Sequence, residues 1–104
     1  MDAPMKFVQI IEYETDRADE MREMGEQAEQ RFGSRSGGPT HRLVLRDRDH
    51  PNRYLAVIEF DSYEEAMSNS NDPETGKFAQ EMAALCTKQP TFTNCDVVDS
   101  ADLR

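Results

Sequence analysis

Arg53-Tyr54-Leu55-Ala56-Val57-Ile58-Glu59-Phe60 runs without interruption into Asp61-Ser62-Tyr63-Glu64-Glu65-Ala66-Met67, and this stretch decides the fold. Its first half is a strand: β-branched and aromatic residues dominate, and no Gly or Pro breaks them. Alternation sends Tyr54, Ala56, Ile58 and Phe60 to one face, and Leu55 and Val57, with Glu59 at the end, to the other. Both faces are apolar. The second half opens a helix, because Ser62 and Glu65 make a capping box directly after the strand. A strand greasy on both sides, delivered straight into a helix, implies a layered α+β domain whose second face needs its own cover.

Working outward, Asp47 to Asn52 (DRDHPN) is a turn, and Thr40 to Arg46 before it is strand two. Residues 34–39 (SRSGGP) form a loop rich in turn formers. Met21, Met24, Ala28 and Phe32 recur at helical spacing, with Asp16 as expected N-cap and Gly33 as stop. Met5 to Tyr13 (MKFVQIIEY) is strand one, with Phe7, Ile11 and Tyr13 on one side and Val8 and Ile10 on the other. On the C-terminal side, Asn69-Ser70-Asn71-Asp72-Pro73 interrupts the second helix, where Asp72 can cap a restart and Pro73 suits its first turn. The restarted helix buries Phe78, Met82, Leu85 and Cys86, and Thr91 to Val98 forms strand four. The chain thus reads β-α-β-β-α-β over residues 5–98, one domain spanning 1–104 with a polar, mobile tail at 99–104.

Two helices cover only one face of a four-stranded sheet. Exposing the other would leave several large side chains in water at roughly 1.5–3 kcal/mol each. A homodimer packed sheet on sheet resolves this, and a mean hydropathy of −0.83 leaves little apolar material to do so within one copy. The net charge of −9 argues against nucleic acid and against anionic membrane surfaces. No stretch approaches the roughly 18 apolar residues of a membrane span, and the first residues lack signal-peptide features. Cys86 and Cys95 show no metal or redox spacing, so a reducing, cytoplasmic setting is expected.

The element order, the short polar turn and the FDSYEEAM junction resemble the dimeric α+β barrel superfamily, a ferredoxin-like βαββαβ fold. Within it the chain is most similar to small antibiotic-biosynthesis-monooxygenase-like proteins, many of them uncharacterised and actinobacterial. The resemblance covers residues 5–98. It implies a ligand pocket in each subunit between sheet and helices. It also implies a range of activities, from cofactor-free oxygenation of aromatic polyketides through haem degradation and lactone isomerisation to none. The chain departs from the enzymes in having no Trp. It also offers Gln9 where the haem-degrading branch has Asn on strand one, and it has no His on the second helix. Haem degradation is therefore not expected.

Several side chains could carry chemistry. His41, opening strand two on the face of Leu43 and Leu45, is a candidate general base or else an exposed strand-end histidine. Asp96, with Asn94 and Phe92 on one face of strand four, is a second candidate base if that face is enclosed, and otherwise a sheet-edge polar group. Tyr13 and Tyr63 could orient an aromatic substrate or simply pack with their hydroxyls wet. Asn69 and Ser70 could rim the pocket, or the break could be a capped kink. Met67, Phe78 and Met82 would form its apolar wall, or plain core. Asp47-Arg48-Asp49 fails as a calcium loop, since Ile58 occupies the position of the required acid. There is no P-loop, dinucleotide fingerprint or G-x-S-x-G, so neither cofactor nor metal is expected. The partners implied are a second copy and a small apolar or aromatic ligand. The function implied is binding of that ligand, with cofactor-independent oxygenation or isomerisation as the enzymatic form, and a carrier, sensor or structural protein as the alternative.

Overall fold

A computed structural model describes residues 6–32 and 37–104. Gly33 and residues 34–36 of the expected 34–39 loop lie outside the described residues, as do Met5 and the side chain of Phe32. The elements are β1 (Phe7–Glu14), α1 (Ala18–Phe32), β2 (His41–Arg46), β3 (Arg53–Phe60), α2 (Tyr63–Ser70), α3 (Pro73–Ala84) and β4 (Thr91–Asp96). All strand pairs are antiparallel, in the order β2-β3-β1-β4. This is the ferredoxin-like βαββαβ arrangement, with its second helix split in two.

Local chemistry explains most of the boundaries. Ser62 accepts the Glu65 N–H at 3.1 Å and starts α2. Asp72 accepts the Glu74 N–H at 2.9 Å, with Pro73 at the first helical position of α3. Between them, the Asn71 and Asp72 N–H groups bond back to the Met67 and Asn69 carbonyls. The break is therefore a capped kink whose backbone is satisfied internally. The start of α1 corrects the expected cap. Asp16 instead accepts from the Asn52 side chain at 2.9 Å, and the Thr15 hydroxyl accepts the Arg17 N–H at 3.0 Å. Thr15 is 2 % exposed, and its hydroxyl also donates to the Leu85 carbonyl at 2.6 Å. One residue thus ties the end of β1 to the start of α1 and the end of α3.

The register sorts the sheet into two unlike faces. Toward the helices stand Phe7, Ile11 and Tyr13 of β1 and Tyr54, Ala56, Ile58 and Phe60 of β3. They form two core clusters. Phe7, Phe60 and Ala66 make the first, with Met67 of α2 packed on it. Tyr13, Met21 and Ala56 make the second, covered by Met82 of α3 with Leu85 and Cys86 just beyond it. Ile58 is the one residue common to both. The kink between α2 and α3 thus separates the helix that covers one cluster from the helix that covers the other.

The opposite face carries Val8, Ile10, Leu43, Leu45, Leu55 and Val57 at its centre. Among the described residues no helix lies on it, and Leu43 and Leu45 are 49 % and 42 % exposed. Its carboxylates are already paired: Glu12 and Asp47 with Arg53, Glu59 with Lys6 at 3.2 Å, and Glu14 with Lys88 at 3.5 Å. Cys86 and Cys95 are both half-buried and are not joined by a disulfide.

Candidate functional site

Cα pairing arranges the helix-side residues of the sheet in rows. Phe60, Phe7 and Asp96 form one, Arg42, Ile58, Gln9 and Asn94 the next, and Val44, Ala56, Ile11 and Phe92 the third. The second row is the anomaly. It runs across all four strands, lies between the two core clusters, and is polar everywhere except at Ile58. Gln9 sits on a central strand, at a position where the alternation of Phe7, Ile11 and Tyr13 calls for an apolar residue. A polar group at such a position is an error unless it has a task.

The polar row is built, not loose. Gln9 Nε2 donates to Asn94 Oδ1 at 3.2 Å, joining β1 to β4. At the other end Arg42 donates from Nη1 to the Gly25 carbonyl at 2.8 Å, with Glu29 at 3.9 Å, and so straps β2 to α1. A Cβ at Gly25 would stand 2.9 Å from Arg42 Nη1, so the glycine permits this approach. Toward β4 the helix side of the sheet is open: Phe92 is 50 % exposed, and Asn94 and Asp96 face solvent. The result is a half-covered shelf of aromatic and amide groups on the helix side of the sheet. Thr75 adds a second irregularity. Its Oγ1 is buried without a hydrogen-bond partner, among the described residues the only such side-chain atom. Helical spacing puts Thr75 on the same face of α3 as Phe78 and Met82, the face that packs on the sheet.

The sequence-derived candidates divide between the two faces. Tyr63 packs edge-on against Phe7 at 5.4 Å and remains 51 % exposed. Met67, Phe78 and Met82 are half-buried, Met67 and Met82 on their respective clusters. Asn94 and Asp96 lie on the shelf at its open edge. Tyr13 is buried and stacked on Tyr54, with ring centroids 5.5 Å apart. Burial first, then the neighbouring Tyr54 and Cys86, push the Tyr13 phenol above its ordinary range, partly offset by Arg42. It is a proton holder, not a base. Asn69 is half-buried and Ser70 exposed at the kink.

His41 stands apart. It is exposed, and it pairs across the sheet with Glu59 on the face that carries Leu43, away from the helices. Asp96 is on the opposite face of the opposite edge strand, three strand spacings or about 14 Å away. The two candidate bases cannot serve one substrate atom in the same subunit. Sequence reasoning named Gln9 only as the residue in place of a strand-one Asn, and passed over Arg42. The signal available for Gln9 was its place in the strand-one alternation.

Two further concavities open on the surface. One of about 370 Å³ lies between α1 and α3, with Glu20, Glu23 and Glu81 around Met24 and Leu85. Another of about 520 Å³ lies at the β2–β3 turn beside Arg46, Asp47 and Arg48. There Asp47 accepts the Asp49 N–H and the Arg53 guanidinium, in that order of effect, which hold its carboxyl below the usual range. No group of three or more metal-ligating side chains occurs among the described residues, and none of their helices is long and apolar enough to cross a membrane.

No family profile matches the chain, and no curated protein sequence is significantly similar to it. Its fold, in contrast, recurs in solved structures. A variant of SnoaB, a cofactor-independent oxygenase from Streptomyces nogalater, aligns with a TM-score of 0.79 at 16 % identity, over 91 % of this chain and 95 % of that one. A candidate antibiotic biosynthesis monooxygenase from Caulobacter crescentus gives 0.78 at 10 % identity, over 92 % of each chain. Another from Nitrosomonas europaea gives 0.75 at 12 % identity, over 94 % and 95 %. The chain therefore has the ferredoxin-like α+β fold of the antibiotic-biosynthesis-monooxygenase-like proteins, as the FDSYEEAM junction led us to expect.

Proposed function

We propose that the protein binds a small, largely apolar or aromatic molecule on the helix side of its sheet, and that it works as a homodimer. The observation that carries the first part is the polar row: two amides and a guanidinium set between two apolar clusters, beside a half-exposed Phe92. Ligand sites are commonly apolar surfaces with a few placed polar groups. The homodimer rests on the second sheet face, whose apolar centre is exposed while its flanking charges are paired internally.

The enzymatic form of this reading is cofactor-independent oxygenation, the activity in the name of the Streptomyces protein of like fold. For a ring phenol the balance is simple. The ring and dioxygen give a quinone and water, one oxygen atom entering the ring and the other leaving in water. The protein's part is to hold the ring and accept the phenolic proton, with Asp96 the available carboxylate and Tyr63 and Asn94 orienting. Non-catalytic carriage is the second reading. It is favoured by the position of His41, which leaves the helix side without an imidazole base.

A thermal-shift panel of quinols, polyketide phenols and lactones tests the binding. Ligand at a hundred times its Kd adds about 2.7 kcal/mol to the native state. A raised Tm is expected with ring phenols, and no shift across the panel contradicts the reading. Oxygen uptake with a binding phenol, in metal- and flavin-free buffer, then separates oxygenase from carrier.

A further inference from the structure

We propose that the Gln9–Asn94 pair is a recognition element for a flat ring ligand carrying a hydrogen-bond acceptor directly beside a donor, as a lactam does. The inference deepens the binding reading above by naming the ligand's polar edge, and it rests on that reading.

The two side chains make a single hydrogen bond to each other, Gln9 Nε2–H to Asn94 Oδ1, and no other among the described residues. Gln9 Oε1 therefore still accepts, while the second Gln9 N–H and both Asn94 N–H groups still donate. Rotating both amides by half a turn exchanges the roles and leaves the same kinds of group on offer. Adjacent strands are about 4.8 Å apart, so acceptor and donors sit within the span of one ring edge. Their neighbours are mostly apolar. Phe7 and Phe60 occupy the row before, with Asp96 at its β4 end, and Phe92, Ile11 and Ala56 the row after. A ring laid on the β1–β4 half of the sheet would cover Phe92 and bring its edge to the amides. Arg42, drawn to α1 by the Gly25 carbonyl, closes the row at the β2 end.

A structural role accounts for this pair poorly. Leucine at position 9 would join the two clusters through a continuous apolar face, at no loss of backbone pairing. A glutamine there gives up that burial and makes one exposed hydrogen bond in return. The unpartnered Thr75 hydroxyl points the same way, since a buried hydroxyl without a partner is costly and a ligand under α3 could supply one.

The test uses carbostyril, a benzo-fused lactam, with its N-methyl derivative, which lacks the donor, and quinoline, which lacks the carbonyl. Each is titrated into full-length ¹⁵N-labelled protein, and the side-chain NH2 signals of Gln9 and Asn94 are followed together with Kd. Carbostyril is expected to bind about tenfold more tightly than either control, the yield of one or two hydrogen bonds. It should also shift both NH2 pairs. In Gln9→Leu the preference is expected to fall to parity while the controls still bind. That variant should melt at or above the wild-type temperature, so misfolding cannot explain the loss. Equal binding of all three compounds, or a preference that survives Gln9→Leu, overturns the recognition element and leaves the shelf as a plain apolar site. Absence of binding by all three overturns the site itself.

Discussion

The helix side and the bare side of the sheet have similar apolar content and opposite architecture. The helix side divides its apolar residues into two clusters separated by a polar row, and places its bulkiest side chains, Phe7, Phe60 and Tyr13, in the interior. The bare side keeps medium-sized Val, Ile and Leu in one continuous centre and confines charge to its ends, already paired. The first pattern interrupts a core to present hydrogen-bonding groups. The second presents a surface that has no unpaired charge to lose on contact. A face of the first kind suits a ligand, and one of the second kind suits another protein surface, which in the proposed homodimer is a second copy.

The largest expected effect breaks the second half of that contrast. Val57 lies at the centre of the bare face, and Val57→Lys would place an unpaired ammonium in each half of a two-fold contact. Stranding a buried charge costs about 3–5 kcal/mol. The variant should sediment as a monomer at concentrations where wild type is dimeric, with native circular dichroism. A Val57→Lys protein that remains dimeric moves the interface elsewhere.

Truncation on each side sharpens the comparison. Phe7→Ala removes a 2 % exposed ring from the first cluster and should cost about 3–5 kcal/mol in chemical denaturation. Leu43→Ala removes a half-exposed side chain and should cost a monomer under about 1 kcal/mol while weakening dimerisation. Equal losses in the two variants, measured at concentrations where both are monomeric, would mean that the faces do not differ as described.

Much of this contrast was legible in the sequence. Arg53–Phe60 was bounded correctly at both ends because charge and turn formers flank an unbroken run of β-formers. Ser62 and Asp72 were identified as caps because a short polar residue stands just before each helical stretch. The strand alternation also placed His41 with Leu43 and Leu45. It could not say which face the helices take, and that choice decides whether His41 sees a ligand site or the bare side. Asp16 was misassigned because α1 begins only at Ala18 and the aspartate carboxylate instead accepts from the Asn52 side chain, a contact 36 residues away that local spacing cannot show. Gln9 was hidden by its neighbours. An apolar strand with one polar residue still reads as apolar, and only the cross-strand register shows that Gln9 falls in line with Asn94 and Arg42.

Two smaller effects follow. Thr75→Val replaces a hydroxyl whose oxygen has no partner by a methyl of similar size, so the ligand-free protein should be unchanged or up to about 1 kcal/mol more stable. A marked loss would reveal a hydrogen bond at Thr75 and weaken the case for a ligand beneath α3. The pH dependence is smaller still, and it has opposite signs at its two limits. Asp47 has a depressed folded pKa, so its contribution is present above the ordinary value of 3.8 and is lost as pH falls through the folded value. Tyr13 and Cys86 are raised by burial, so theirs is present below the ordinary 10.0 and 9.0 and declines as pH rises beyond them. The Tm should therefore be flat between these limits, and Asp47→Asn should flatten only the acid limb.

Sedimentation equilibrium of the wild-type chain at micromolar concentration addresses the division of labour between the faces most directly. Twice the chain mass, falling to the single-chain mass in Val57→Lys, is the predicted result. A wild-type chain that sediments as a monomer would leave the bare face without a partner and contradict the account.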